Sequence, residues 1–286
     1  MKAKKIAVVG GDLRLHHLLK ILPGRSFCGT AHGLYMGGEA SALDILPDCE
    51  VVIFGLPMLS CDGKISAPLL KNPPELADAF SHITPGSMVF GGNIPPEAHI
   101  LAKQFNFALS DYSAREEFAV RNAILTAEGA VEIALCRCEQ SLYCSRCVIL
   151  GYGRIGKALT DLLLAFGARV TVFAQSPADL EWISRSGAAS AKYSTLNSQL
   201  PFCEIIFNTV PSMLLDAGRL AFLRPGCKVI DLASAPGGVD LIAANKLCIH
   251  AESALSIPGK HSPASAGEII LDTIENILTE RGLLHD

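Results

Sequence analysis

The segment Gly151-Tyr152-Gly153-Arg154-Ile155-Gly156 constrains this chain more than any other. It follows an apolar run, Cys147-Val148-Ile149-Leu150, and it precedes a helical pattern over 155–166 and a second apolar run over 169–173. A G-x-G-x-x-G that ends a strand and opens a helix marks the first turn of a dinucleotide-binding βαβ unit. The first glycine permits the tight turn, the second admits a pyrophosphate close to the backbone, and the third lets helix and strand pack tightly. The N-terminus of the following helix and Arg154 then face negative charge. Gly151, Gly153, Arg154, Ile155 and Gly156 are therefore the expected pyrophosphate site.

The rest of the chain repeats the same alternation. Beyond the glycines, helices are expected at 177–185 and 214–223, with strands at 204–207 and 228–232. Ahead of them, apolar runs at 5–9, 51–54 and 87–90 each end in glycine. Continuous apolar strands alternating with helical segments mean parallel sheets covered on both faces. The stretch 113–139 has helical periodicity and joins the two halves, and Ser262-Pro263 opens a last amphipathic helix. The expected fold is thus α/β: two doubly wound, Rossmann-like parallel-sheet domains joined by a long helix, with a C-terminal helix packing back on the first. The expected division is an N-terminal substrate and catalytic domain at 1–125, a Rossmann NAD(P)-binding domain at 126–262 and a returning helix at 263–286.

At the end of the second strand of the nucleotide unit stand Gln175 and Ser176, where an NAD site usually carries an acid for the ribose 2′-hydroxyl. An uncharged pair does not repel a 2′-phosphate, so NADP is favoured, with NAD the alternative; Arg185 or Lys192 is the cation within sequence reach. Asn208-Thr209-Val210-Pro211 and Asp231-Leu232-Ala233 end two further strands, where the nicotinamide half belongs. Asn208, Thr209, Val210, Pro211, Asp231 and Ala233 are therefore added to the cofactor residues, although Asn208 and Asp231 read equally well as turn caps.

Composition narrows the partners. With 24 basic against 28 acidic residues there is no cationic excess for nucleic acid. No apolar run approaches the ~18 residues of a membrane span. The first residues run straight into a short strand instead of an export signal, so the cytoplasm is the expected compartment. Cys136, Cys138, Cys144 and Cys147 are close in sequence, yet one short crossover does not offer the two separated pairs of a structural zinc site. They read as reduced core and linker thiols, with no metal expected.

Several segments carry a more specific likeness. Ala114-Arg115-Glu116-Glu117, Asn122 with Thr126-Ala127-Glu128-Gly129, the 151–156 turn, Asn208 through Met213, Asp231 through Gly238, Pro258-Gly259 and Ala266-Gly267 stand in one order. In that order, and with the opening Ile6 through Asp12, the chain resembles the family of dipicolinate synthase A subunits over nearly its whole length. It departs from the family pattern at Ala123, Leu125, Ala264 and Gln175. The resemblance implies an NAD(P)-dependent oxidation of a dihydrodipicolinate-type precursor of the lysine pathway to pyridine-2,6-dicarboxylate. It further implies action beside a flavoprotein-like B subunit of the synthase, in the mother cell of a sporulating bacterium, and a homo-oligomer is expected.

For such a dianionic substrate, Arg115 is the first expected carboxylate ligand, Lys260 the second and Thr126 a neutral donor, while His261 or Glu128 accepts the proton. Two other readings stay open. One is another two-domain amino- or hydroxy-acid dehydrogenase, which usually shows a catalytic His paired with an acid, or a Lys-His pair, and the sequence shows neither in recognisable context. The other is a dinucleotide-binding partner subunit with no redox step of its own.

Overall fold

The computed structural model describes residues 4–25, 27–32 and 43–284. They form two compact units: Met1–Arg121 with Ser262–Asp286, and Asn122–His261. Both sheets are parallel throughout, as two doubly wound domains require.

In the first unit the chain runs through β1 (Lys4–Val9), α1 (Leu13–Ile21), β2 (Phe27–His32), β3 (Val51–Phe54), α2 (Leu76–Ser81), β4 (Met88–Gly91), α3 (Pro96–Gln104) and β5 (Ala108–Asp111). The strand order is β2-β1-β3-β4-β5. All of β3 is buried, as are the last four residues of β1, because helices cover both faces of a doubly wound sheet. Asp12 caps α1, its side chain accepting from the Arg14 amide. The returning helix α11 (Pro263–Glu280) packs on α1. It does so at Gly267, where a Cβ would strike the Arg14 carbonyl and the Leu18 nitrogen. This close approach is open only to glycine.

The helix α4 (Glu116–Arg137) carries the chain from the first unit into the second, the division falling at 121/122. The second unit continues with β6 (Arg146–Leu150), α5 (Arg154–Ala165), β7 (Arg169–Phe173), α6 (Pro177–Ser186), β8 (Ala189–Ala191), α7 (Leu196–Gln199), β9 (Ile205–Asn208), α8 (Ala217–Leu220), β10 (Lys228–Asp231), α9 (Leu241–Lys246), β11 (His250–Ser253) and α10 (Ile257–His261). Its sheet order is β11-β10-β9-β6-β7-β8. Renumbered within the unit this is 6-5-4-1-2-3, the dinucleotide-binding order, with its switch point between β6 and β9.

Alternate residues of one strand serve opposite cores. Cys147 and Ile149 of β6 join the cluster that includes Ala130 and Leu159, while Val148 and Leu150 join that of Leu196 and Leu220. The helix expected at 214–223 is a four-residue α8. Leu214 and Leu215 instead take backbone hydrogen bonds to Gly238, which holds the preceding stretch extended.

Candidate cofactor site

Sheet register brings the sequence candidates of the second unit into one row. Leu150 pairs with Phe173 on one side and with Asn208 on the other, and Asn208 pairs with Asp231. The ends of β6, β7, β9 and β10 are thus level, and the glycine turn leaves from the middle of the row.

The three glycines of that turn do three different things. Gly151 has φ +101°, and a Cβ there would collide with Thr209 Oγ1 and lie 2.8 Å from Val210 Cγ2. At Gly156 a Cβ would strike the Gly151 carbonyl, so the start of α5 rests directly on the turn. Gly153 is the opposite case: nothing lies within 4 Å of where its Cβ would be. It is also the N-cap of α5, makes no side-chain cap, and is followed by a first turn without acidic residues. The structure therefore holds an open cradle at a positive helix end, which fits a pyrophosphate. Arg154 is exposed at the same end and Ile155 packs toward the core.

Behind the cradle, polar side chains are turned inward. The Thr209 hydroxyl donates to the Leu150 carbonyl at 2.8 Å, fixing the β9 loop beneath the glycine turn. Asn208 is fully buried and Asp231 3 % exposed. Asn208 Nδ2 donates to Asp231 Oδ1 at 2.7 Å and to the Val210 carbonyl at 3.0 Å. Its Oδ1 accepts from the Val210 amide at 3.2 Å. Asp231 also accepts from the amides of Ala233 and Gly238 at 3.2 and 3.0 Å. A buried carboxylate needs such donors, and here they come from the two loops that cross the row. Asn208, Asp231 and the Ala233 amide thus bind each other and shape the loops, leaving Val210 and exposed Pro211 at the surface of the row. At the β7 end Gln175 is exposed, and Ser176 caps α6, accepting from the Asp179 amide at 3.5 Å.

The expected substrate residues fall differently. Arg115 donates from Nε to Glu117 at 2.8 Å and holds both carboxylate oxygens of Glu280, on α11, with its two terminal nitrogens. Bonds to Glu280 first and to Glu117 second hold this guanidinium protonated even more firmly than usual. Arg115, the first expected substrate ligand, is thus paired with two acids at the head of α4. Thr126 is buried, and its O–H is donated to the Asn122 carbonyl at 2.8 Å.

Glu128 is exposed on α4. One turn further, Glu132 Oε2 lies 2.6 Å from His261 Nδ1. A carboxylate only accepts, so Nδ1–H donates to it, and in the neutral ring Nε2 is then the acceptor nitrogen. This acid–histidine pair was invisible in the sequence because its members are 129 residues apart. Exposed Lys260 lines the same groove as Glu132, His261, Arg137 and Glu252.

Among the described residues, no group of three His, Cys, Asp or Glu is arranged to hold a metal ion. Burial pushes the Cys147 and Cys203 thiols up to about 12 and raises that of Cys138.

The comparisons follow the same division. Residues 5–113 match the family model for the N-terminal domain of the dipicolinate synthase A subunit. Residues 124–239 match the model "D-isomer specific 2-hydroxyacid dehydrogenase, NAD binding domain". The A subunit of dipicolinate synthase from Bacillus subtilis is 29% identical over 286 residues, covering 96% of each chain. The crystal structure of the A chain of that synthase from Bacillus subtilis superposes with TM-score 0.85 at 27% identity, covering 98% of this chain and 97% of the other. The corresponding structure from Bacillus halodurans gives 0.86 at 25%, covering 97% and 99%. The chain is a relative of the dipicolinate synthase A subunits. Like the family model it matches, its second domain is an NAD-binding domain of the dehydrogenase type, and the chain is an oxidoreductase with a nicotinamide dinucleotide cofactor. Among the described residues no helix is long and apolar enough to cross a membrane.

Proposed function

We propose that the chain oxidises a dihydrodipicolinate-type substrate to pyridine-2,6-dicarboxylate, with NADP as the favoured cofactor and beside the B subunit of the synthase. The observation that carries this reading is the open Gly153 cradle at the N-terminus of α5, in a chain whose likeness to the dipicolinate synthase A subunit runs from end to end. By the same likeness, the setting is the mother cell of a sporulating bacterium.

Turning a dihydropyridine into a pyridine removes one hydride from a ring carbon and one proton. A nicotinamide dinucleotide, when bound, supplies the hydride acceptor. The protein has to hold the ring, fix its carboxylates and take the proton. In this reading Nε2 of His261 takes the proton, with Glu132 orienting the ring through Nδ1 and stabilising the imidazolium that forms. Lys260, exposed beside His261, takes one substrate carboxylate. Asn208 and Asp231 act through the loops that they hold.

The test is to give the purified chain NADP and the dihydrodipicolinate-type precursor, with and without the B subunit, and to follow nicotinamide absorbance together with the pyridine product. The reading expects both signals to rise in step. Replacing His261 by Gln should slow the reaction by about 10²–10⁴-fold with dinucleotide binding intact. Absence of turnover in both mixtures would leave a dinucleotide-binding protein without a redox step of its own.

A further inference from the structure

The proposed preference for NADP leaves open which group would recognise the 2′-phosphate that distinguishes it from NAD. We infer that Lys192, at the outer edge of the second unit's sheet, is that group, with Gln175 and Ser176 forming an uncharged floor beside it. The inference rests on the reading of this unit as the site of a nicotinamide dinucleotide.

In a sheet of this order the adenosine ribose lies over the end of the second strand, here β7. The short edge strand β8 runs parallel to β7, pairing Phe173 with Ala191. The Ala174 amide then donates to the Ala191 carbonyl at 3.1 Å. Carrying the register on by one residue puts Lys192 beside Ala174, one position from Gln175 and about 4.8 Å away across the strands.

That position is built from both sides. The Lys192 carbonyl accepts from the Thr195 amide and hydroxyl, each at 2.9 Å. The hydroxyl of the next residue, Tyr193, donates to the Phe173 carbonyl at 3.2 Å, and its ring packs at 6.0 Å from that of Phe173. The backbone of Lys192 is therefore anchored to the last residue of β7, while its side chain is exposed.

Arg185, the other cation within sequence reach, stands in the last turn of α6. Nine residues separate it from the Ser176 cap, which at ~1.5 Å per residue puts it roughly 14 Å along the helix from the ribose end. The charge that opposes an anion here is Asp179, in the first turn of α6. No acid stands at Gln175 or Ser176 themselves, so neither residue repels a 2′-phosphate beside Lys192.

The test is calorimetric titration of the whole chain with NADP, NAD and adenosine 2′,5′-bisphosphate, comparing the parent with Lys192→Ala and Lys192→Arg. Loss of one charge-assisted contact should weaken NADP and the bisphosphate by about 10- to 100-fold in Lys192→Ala. NAD should stay within about 2-fold, and Lys192→Arg should restore NADP. Equal losses for NADP and NAD, no loss for either, or a parent that prefers NAD would overturn the assignment while leaving the dinucleotide reading intact. A parent that binds neither dinucleotide would take that reading down with it.

Discussion

At the scale of single residues, the glycines of the 151–156 turn separate support from contact. Gly151 and Gly156 are filled in from behind, whereas Gly153 has open space before it and a φ of −76° that any residue can adopt. Gly153→Ala should therefore fold normally, within about 0.5 kcal/mol of the parent, while its dinucleotide Kd rises at least ~10-fold through the lost approach of the pyrophosphate. Gly151→Ala should instead lower stability by about 1–3 kcal/mol, since it meets both a strained φ and Thr209. Thermal melting and titration of the two variants check this, and the two effects should not exchange places. The glycine spacing made the turn legible. It could not tell that Asn208 and Asp231 satisfy each other, because their 23-residue separation becomes a contact only once β9 and β10 pair. Glu128 and Glu132 sit one turn apart on one helix, and nothing local to either says which meets His261.

At the scale of elements, the strands that were legible are the inner ones. Residues 5–9, 51–54, 87–90, 147–150, 169–173, 204–207 and 228–232 are apolar runs because both faces of an inner strand are covered. The strands that escaped are β2, β5, β8 and β11, and each is at an edge of its sheet. β8 reads Ala-Ser-Ala and β11 His-Ala-Glu-Ser, without an apolar run and without a fully buried position. Short polar edges also resist pairing with other chains. The thiols on inner strands and their flanks give a test at this scale. Burial pushes Cys147, Cys203 and Cys227 up to about 12, against 9.0 for an ordinary thiol. Below pH 9 the thiols are protonated in the folded and the unfolded chain alike and stability does not depend on them. Above it the unfolded chain loses protons that the folded chain keeps, so stability should fall as pH rises from 9 toward 12. Denaturant midpoints across that range measure the fall, and replacing the three by Ala or Ser should flatten it. In the same native protein a thiol reagent at pH 8 should modify exposed Cys28, Cys61, Cys136, Cys144 and Cys248 first.

At the scale of the whole molecule, each parallel sheet has its own core, and the C-terminal helix belongs to the first unit although 140 residues of the second intervene in sequence. The alternation of apolar strands and helices made two doubly wound domains readable. Arg115 shows where that kind of reading stops: at the head of a helix it looks like a free cation, and only the return of α11 brings Glu280 to it. At the nucleotide end the molecule offers the Gly153 cradle, and at the substrate end the His261–Glu132 pair in a chain alike to the dipicolinate synthase A subunit. The direct test joins the two ends. Calorimetric titration with NADP and with NAD, each in the presence and absence of dipicolinate, reports whether one protein recognises both the dinucleotide and the aromatic diacid. Tight NADP binding that dipicolinate alters is the expected result. Dinucleotide binding indifferent to dipicolinate, or none at all, would contradict it.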